Sequence, residues 1–152
     1  MRGFHSNDTT KQFCSNQLGV IGIADGTHIR ISKPRFEKDP LQRDKFYNRK
    51  GFYSWNCLGV VDDTLKFIYF SAKYPGNAHD SRVYNESRLK AILEEMYDEE
   101  APRFLIGDKG FQLQETMLVP IREDQVRTEA EKLFNRIFGK LRVRGSIYQI
   151  SP

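Results

Sequence analysis

Asp25 and Asp108 are the residues of this chain best suited to chemistry. Each ends a short apolar run and is bracketed by glycine: Val20-Ile21-Gly22-Ile23-Ala24-Asp25-Gly26 in one case, Arg103-Phe104-Leu105-Ile106-Gly107-Asp108-Lys109-Gly110 in the other. Such a run reads as a β-strand that presents a carboxylate at its end. Two strand-end carboxylates far apart in sequence suit a divalent cation. Mg²⁺ or Mn²⁺ takes hard oxygen ligands, keeps several waters, and is held by one or two carboxylates together with a substrate phosphate. Two such ions about 3.5–4 Å apart stabilise both the attacking and the leaving oxygen of an in-line displacement. Carboxylates alone can therefore equip a nuclease. Asp-Gly is also a common turn signal, and either aspartate by itself reads as a turn residue or a helix cap. The repetition of the pattern is what favours a metal site.

The elements that must position these acids follow from hydrophobic period. Residues 19–32 read as a strand rich in Ile and Val, with alternation after Asp25 at Thr27, Ile29 and Ile31. Pro34 and Pro40 bracket a basic loop. Residues 53–61 and 65–74 read as two further strands joined by Asp62-Asp63-Thr64, a connection that suits an antiparallel hairpin. Trp55, Phe67, Tyr69 and Phe70 read as sheet and core residues. After Pro75-Gly76-Asn77-Ala78, the spacing of Val83, Tyr84, Leu89, Ile92, Leu93 and Met96 predicts one amphipathic helix starting near Arg82, with Asp80 or Ser81 as its cap. A fourth strand spans 104–108, and residues 128–143 predict a second amphipathic helix, interrupted at Gly139. The order is βββαβα.

Composition narrows the class. A chain of 152 residues with 39% hydrophobic content holds one domain with a core of its own. The apolar runs are strand-sized and residues 1–18 carry no secretory-type apolar stretch, so neither a membrane nor secretion is expected. Cys14 and Cys57 are too few for a disulfide framework or a Cys-rich zinc site, which points to a reducing, intracellular compartment, nuclear or cytoplasmic. The net charge of +4 permits a polyanionic partner. Basic residues gather between Arg30 and Lys50 and again between Lys132 and Arg144, and such segments near the paired acids suit phosphate contacts.

Three antiparallel strands, a helix, a fourth strand and a helix, with acids on the first and fourth strands, is the order of the ribonuclease-H-like α/β fold. Within it the chain resembles the DDE transposases of the PIF/Harbinger class and the Harbinger transposase-derived nucleases. Four motifs carry the resemblance in the family's order: Ala24-Asp25-Gly26-Thr27-His28-Ile29, Phe46-Tyr47-Asn48-Arg49-Lys50-Gly51-Phe52-Tyr53-Ser54-Trp55-Asn56, Tyr74-Pro75-Gly76-Asn77-Ala78-His79-Asp80-Ser81-Arg82-Val83-Tyr84, and Ile106-Gly107-Asp108-Lys109-Gly110-Phe111. The resemblance implies Asp25 and Asp108 as catalytic acids that jointly bind a divalent metal, Mg²⁺ or Mn²⁺, for hydrolysis of a DNA phosphodiester. It also implies a separate Myb-like DNA-binding partner protein. Residues 1–18 form an N-terminal extension too short for a helix-turn-helix module, and 19–152 form the catalytic domain.

The chain departs from the family's pattern at the third acid, a Glu on the helix after the fourth strand. Matching Glu131-Lys132-Leu133-Phe134-Asn135-Arg136 to the family's charged Phe-Asn segment puts Ser146 at the Glu position. Matching Phe138-Gly139-Lys140-Leu141 to its Phe-Gly-x-Leu segment puts Asn135 there instead. The first fits without a gap, and the tail from Gly145 to Pro152 then reads as a C-terminal truncation before the acid. Glu129 and Glu131 lie on the same helix and read as solvent-exposed.

Among the other motif residues, Asp80 reads as a helix cap first and an auxiliary metal ligand second. Arg49, Lys50, His79 and Lys109 are candidate nucleic-acid contacts, each with solvated surface or a structural hydrogen bond as its plainer reading. Two functions follow. One is a divalent-metal-dependent endonuclease domain of transposase descent; the other is an inactive, domesticated or decaying domain that keeps the fold and some metal, DNA or protein binding. A third reading, turn aspartates in an unrelated α+β domain, is disfavoured by four motifs in order.

Overall fold

The apolar runs read from the sequence become the middle of a five-stranded mixed sheet in the computed structural model, which describes residues 19–35 and 39–145. The strands are β1 (Val20–Arg30), β2 (Ser54–Val61), β3 (Phe67–Pro75), β4 (Phe104–Ile106) and β5 (Met117–Leu118). Their order across the sheet is β3-β2-β1-β4-β5. β1, β2 and β3 pair antiparallel, whereas β4 runs parallel to β1 and β5 parallel to β4. Four helices accompany them: α1 (Pro40–Asp44), α2 (Asp80–Asn85), α3 (Arg88–Glu95) and α4 (Glu129–Gly145). A mixed α/β architecture of this kind is consistent with the ribonuclease-H-like expectation.

Strand alternation divides the core into two layers. Ala24 and Leu105 join Leu58, Val60, Val83, Tyr84, Phe111 and Met117 on one face. Their neighbours Ile23 and Ile106 join Val20, Val61 and Phe138 on the other, beneath α4. The same alternation continues past Ala24: Gly26 and His28 share the α2 face of β1, and Asp25 follows Ile23 toward the α4 face.

Several sequence expectations are corrected by local chemistry. Directly after the loop between Pro34 and Pro40 comes a short helix that hydrophobic period did not mark, α1, because Asp39 accepts from the Leu41 and Gln42 amides at 3.1 and 3.3 Å and Pro40 opens the helix at a position that needs no N–H. The single helix expected to run to Met96 is two helices. Ser87 restarts the chain as a new N-cap by accepting from Lys90 N at 3.1 Å. Gly139 does not interrupt α4, and a side chain there would meet nothing within 4 Å. β5 was not foreseen, being only two residues long.

Phe67 and Phe70 are not core residues. They are 46% and 50% exposed on β3, an edge strand, where the two rings pack edge-to-face on each other at 5.9 Å. Asp25, read as ending its strand, sits inside β1 opposite Gly59 of β2.

The fold yields a first test. Phe138 is 3% exposed and anchors α4 to β1 and β4, whereas Leu133 on the same helix is 51% exposed. Phe138→Ala should cost about 3–5 kcal/mol in urea unfolding, and Leu133→Ala within about 0.5 kcal/mol. Equal losses would mean that α4 is not seated through Phe138.

Candidate functional site

The site begins where β1 loses a neighbour. Pairing of β1 with β4 ends at Ile23↔Ile106, while pairing with β2 continues to Arg30↔Ser54. Asp25 is therefore just beyond the last β4 rung, and it is buried, with 6% of its surface exposed. Beyond β4 the chain curls through Gly107–Gly110, where Asp108 Oδ1 accepts from Gly110 N at 2.7 Å.

Asp80 reaches this place from the start of α2. The cap of that helix is His79, in extended conformation and without a side-chain cap bond, so the expectation that Asp80 caps it is corrected. As the first helical residue, Asp80 lies one position too late to cap. Its carboxylate lies against β1 instead: a Cβ at Gly26 would overlap Asp80 Oδ1. A Cβ at Gly110 would lie 2.9 Å from Asp108 Oδ1 and 3.1 Å from Asp80 Oδ2. The carboxylates of Asp80 and Asp108 thus flank one spot above a bare glycine. Asn56 Nδ2 holds Asp80 Oδ1 at 2.9 Å and donates also to Ala78 O at 2.8 Å.

A cleft of about 150 Å³ opens beside these groups, lined among others by His28, Arg49, Asn56, His79, Asp80 and Gly110. Arg49 enters it because Asn48, only 2% exposed, locks the preceding turn. Asn48 Oδ1 accepts from Lys50 N at 2.8 Å, its Nδ2 donates to Ser54 Oγ at 2.7 Å, and Gly51 takes the left-handed φ of 84° that the turn requires. Ser54 Oγ in turn lies 3.1 Å from His28 Nδ1. Burial favours the neutral ring of His28 and lowers its pKa from 6.5; Asp80 opposes that shift, and Lys50 and Arg49 add to it.

Of the residues proposed from sequence, Asp80 and Asp108 meet above Gly110, Arg49 and His79 line the cleft, and Lys50 acts electrostatically on His28. Lys109 is engaged elsewhere, with its Nζ on Glu123 Oε1 at 3.1 Å. His28, Asn48, Ser54 and Asn56 belong to the cleft and its support as well, beyond the candidate contacts that the sequence marks. A signal was present: Ser54 and Asn56 are polar residues two apart in a strand of otherwise apolar alternation, and Asn56 pairs directly with His28.

The third acid is accounted for only in part. Asn135, one of the two aligned positions, spends both ends of its amide on Ile121, accepting from its N at 2.9 Å and donating to its O at 2.8 Å. Ser146 lies outside the described residues. Glu131 accepts from Arg127 N and Thr128 N while Thr128 Oγ1 accepts from Glu131 N, a capping box at the start of α4. Glu129 is ion-paired with Lys132 at 2.7 Å. Among the described residues, no three His, Cys, Asp or Glu side chains group closely enough to hold one metal ion. The pair Asp80–Asp108 with water and phosphate is nonetheless the donor set that Mg²⁺ accepts, so the residues fit a hard cation.

Residues 24–145 match the family model described as DDE superfamily endonuclease. The chain belongs to that family. Proteins of the family similar to it include the mouse (Mus musculus) protein named "Putative nuclease HARBI1", 33% identical over 118 residues, which are 78% of this chain and 31% of that relative. The human (Homo sapiens) protein of the same name is 30% identical over 117 residues, 77% of this chain and 31% of the relative. The chain therefore spans about a third of the length of the curated relatives it matches. No solved structure matches it significantly. The matched segment of the family contains Asp25, Asp80 and Asp108. Among the described residues no helix is long and apolar enough to cross a membrane.

The burial of His28 sets a pH dependence. Its folded-state pKa is lowered from 6.5, so the unfolded chain takes up the proton first as pH falls. The stability that this residue contributes is complete above that value and is lost as pH drops through it. His28→Gln should reduce the fall in urea midpoint between about pH 7.5 and about pH 5.5. An unchanged fall would show that the ring is not held neutral.

Proposed function

We propose that this domain is a divalent-metal-dependent DNA endonuclease domain of transposase descent, with a ribonuclease-H-like fold and with Asp25 and Asp108 as its metal-holding acids. Family membership across the segment that contains both residues is the observation that carries this reading. Bound between the acids, the cation would polarise the scissile phosphate and lower the pKa of the attacking water. The chain's own residues then have distinct tasks. Asp108 is fixed by its bond to Gly110 N. Arg49 projects into the cleft beside Asp80, where a guanidinium can take a phosphate oxygen pair in bidentate fashion. Lys50 adds sequence-independent attraction for the DNA backbone. Base-specific targeting is not among these tasks, since backbone contacts carry no sequence information.

A second reading, a domain of the same descent that binds metal and DNA without cutting, is favoured by one specific observation. The helix that should carry the third acid has Asn135 tied to Ile121, Glu131 in a capping box and Glu129 in an ion pair.

Supercoiled-plasmid nicking in Mn²⁺ separates the two. The nuclease reading expects nicking by the native protein and none by Asp25→Asn or Asp108→Asn; nicking that survives either substitution overturns it. Metal binding without nicking establishes the second reading. Lys50→Ala should weaken DNA binding about equally across sequences and lower the salt slope by about 1, and a slope that does not change would remove Lys50 from the interface.

A further inference from the structure

We propose that Arg30, held over the ring of Phe52, binds the backbone phosphate next to the scissile one, so that the DNA strand leaves the cleft along the end of β1. The inference rests on the reading of the cleft as a DNA site and adds to it the path of the strand and the residue that receives it.

The wall of the cleft does not stop at His28. Arg30 is two residues further along β1, about 7 Å away at the rise of an extended strand, and alternation puts it on the same α2 face, opposite Ser54. Phe52 joins the two. Its ring meets His28 edge-on, with centroids 6.4 Å apart and planes at 84°, and the Arg30 guanidinium carbon stands 4.2 Å from its centroid. Such a cation–π contact holds the guanidinium by its charge and takes up none of its N–H donors. Arg30 is exposed, and among the described residues it takes part in no ion pair. A guanidinium positioned but unspent in this way is suited to grip a phosphate in bidentate fashion.

Phe52 is itself a fixed platform. Its carbonyl accepts from Asn48 N at 2.9 Å, and its N–H donates to Asn48 Oδ1 at 3.4 Å. Asn48 is the buried amide that also bonds Ser54 Oγ. One turn therefore sets Arg49 at the cleft and Phe52 against Arg30, and two guanidiniums so placed suit successive phosphates of one strand. The plainer role for Arg30 is a solvated surface charge. That role needs no aromatic ring, and a lysine at position 30 would fill it equally well.

That difference defines the experiment: fluorescence anisotropy of a fluorescein-labelled DNA duplex of arbitrary sequence, at several salt concentrations, with the native chain and with Arg30→Ala, Arg30→Lys, Phe52→Leu, Arg49→Ala and Arg103→Ala. Arg30→Ala should lower the salt slope by about 1 and weaken binding about tenfold. Arg30→Lys and Phe52→Leu should keep the slope, because the charge stays. Both should nevertheless bind about two- to fivefold more weakly, because the support of the ring is lost. Arg103 is exposed at the start of β4, at the other end of that strand from the Gly107–Gly110 loop, and Arg103→Ala should bind as the native chain does. Native-like affinity in Arg30→Lys and Phe52→Leu, or a loss in Arg103→Ala as large as in Arg30→Ala, would reduce Arg30 to general surface charge and overturn this inference. Native-like binding by Arg30→Ala, with loss in Arg49→Ala, would overturn it as well and leave the broader reading standing. Absence of DNA binding by the native chain would overturn both.

Discussion

The start of α2 approaches β1 at a residue that has no side chain, and most of the site depends on that approach. With any other residue at position 26, the Asp80 carboxylate could not rest on the strand, Asn56 could not reach Oδ1, and the polar groups of α2 and the loop after β4 would be held apart. The approach falls where β4 has stopped pairing, beyond Ile23, while β1 continues along β2 to Arg30. A short parallel strand beside a long antiparallel one thus ends the β4 pairing partway along β1, and Asp80 and Asp108 meet above Gly110 beyond that end.

Around that place the apolar core gives way to a buried polar layer. Asn48, Ser54 and Asn56 are each at most 2% exposed, yet their side chains bond to one another or to groups of the cleft instead of packing apolar neighbours. Buried amides are costly unless satisfied, and here Asn48 secures a turn, Ser54 links that turn to His28, and Asn56 links β2 to α2. The turn aims Arg49 into the same cleft as Asp80, so a cation and an anion share one small volume. A phosphate ester with its metal ion presents the complementary pair of charges.

The α4 helix shows the opposite economy. Its first turn is a capping box, its apolar face is seated by Phe134, Ile137 and Phe138 on β1 and β4, and its one buried-side amide, Asn135, clamps the backbone at Ile121. Each group on the helix that might have lent a carboxylate or amide to the site is occupied in holding the helix in place. The acids that do converge come from the β1–β2 layer's neighbours, α2 and the loop after β4.

Much of this was legible in the residues themselves. The short apolar runs ending in Asp-Gly and Gly-Asp specified β1 and β4 and marked Asp25 and Asp108, because strand-forming residues and glycine punctuation act over a few neighbours. The helical spacing from Val83 onward was equally clear, although Ser87 split it through a cap that works over three residues. Four motifs in order carried the family. What the sequence could not decide was which way Asp80 points, that Phe67 and Phe70 stay exposed on an edge strand, or that Lys109 turns to Glu123. These are properties of distance between segments dozens of residues apart: Gly26, Asn56, Asp80 and Gly110 come within contact only once the sheet register is set. Local sequence thus determined the strands, the helices and the chemical types available, while the tertiary structure alone decided which carboxylates face each other, because that depends on long-range packing and on the absence of two side chains.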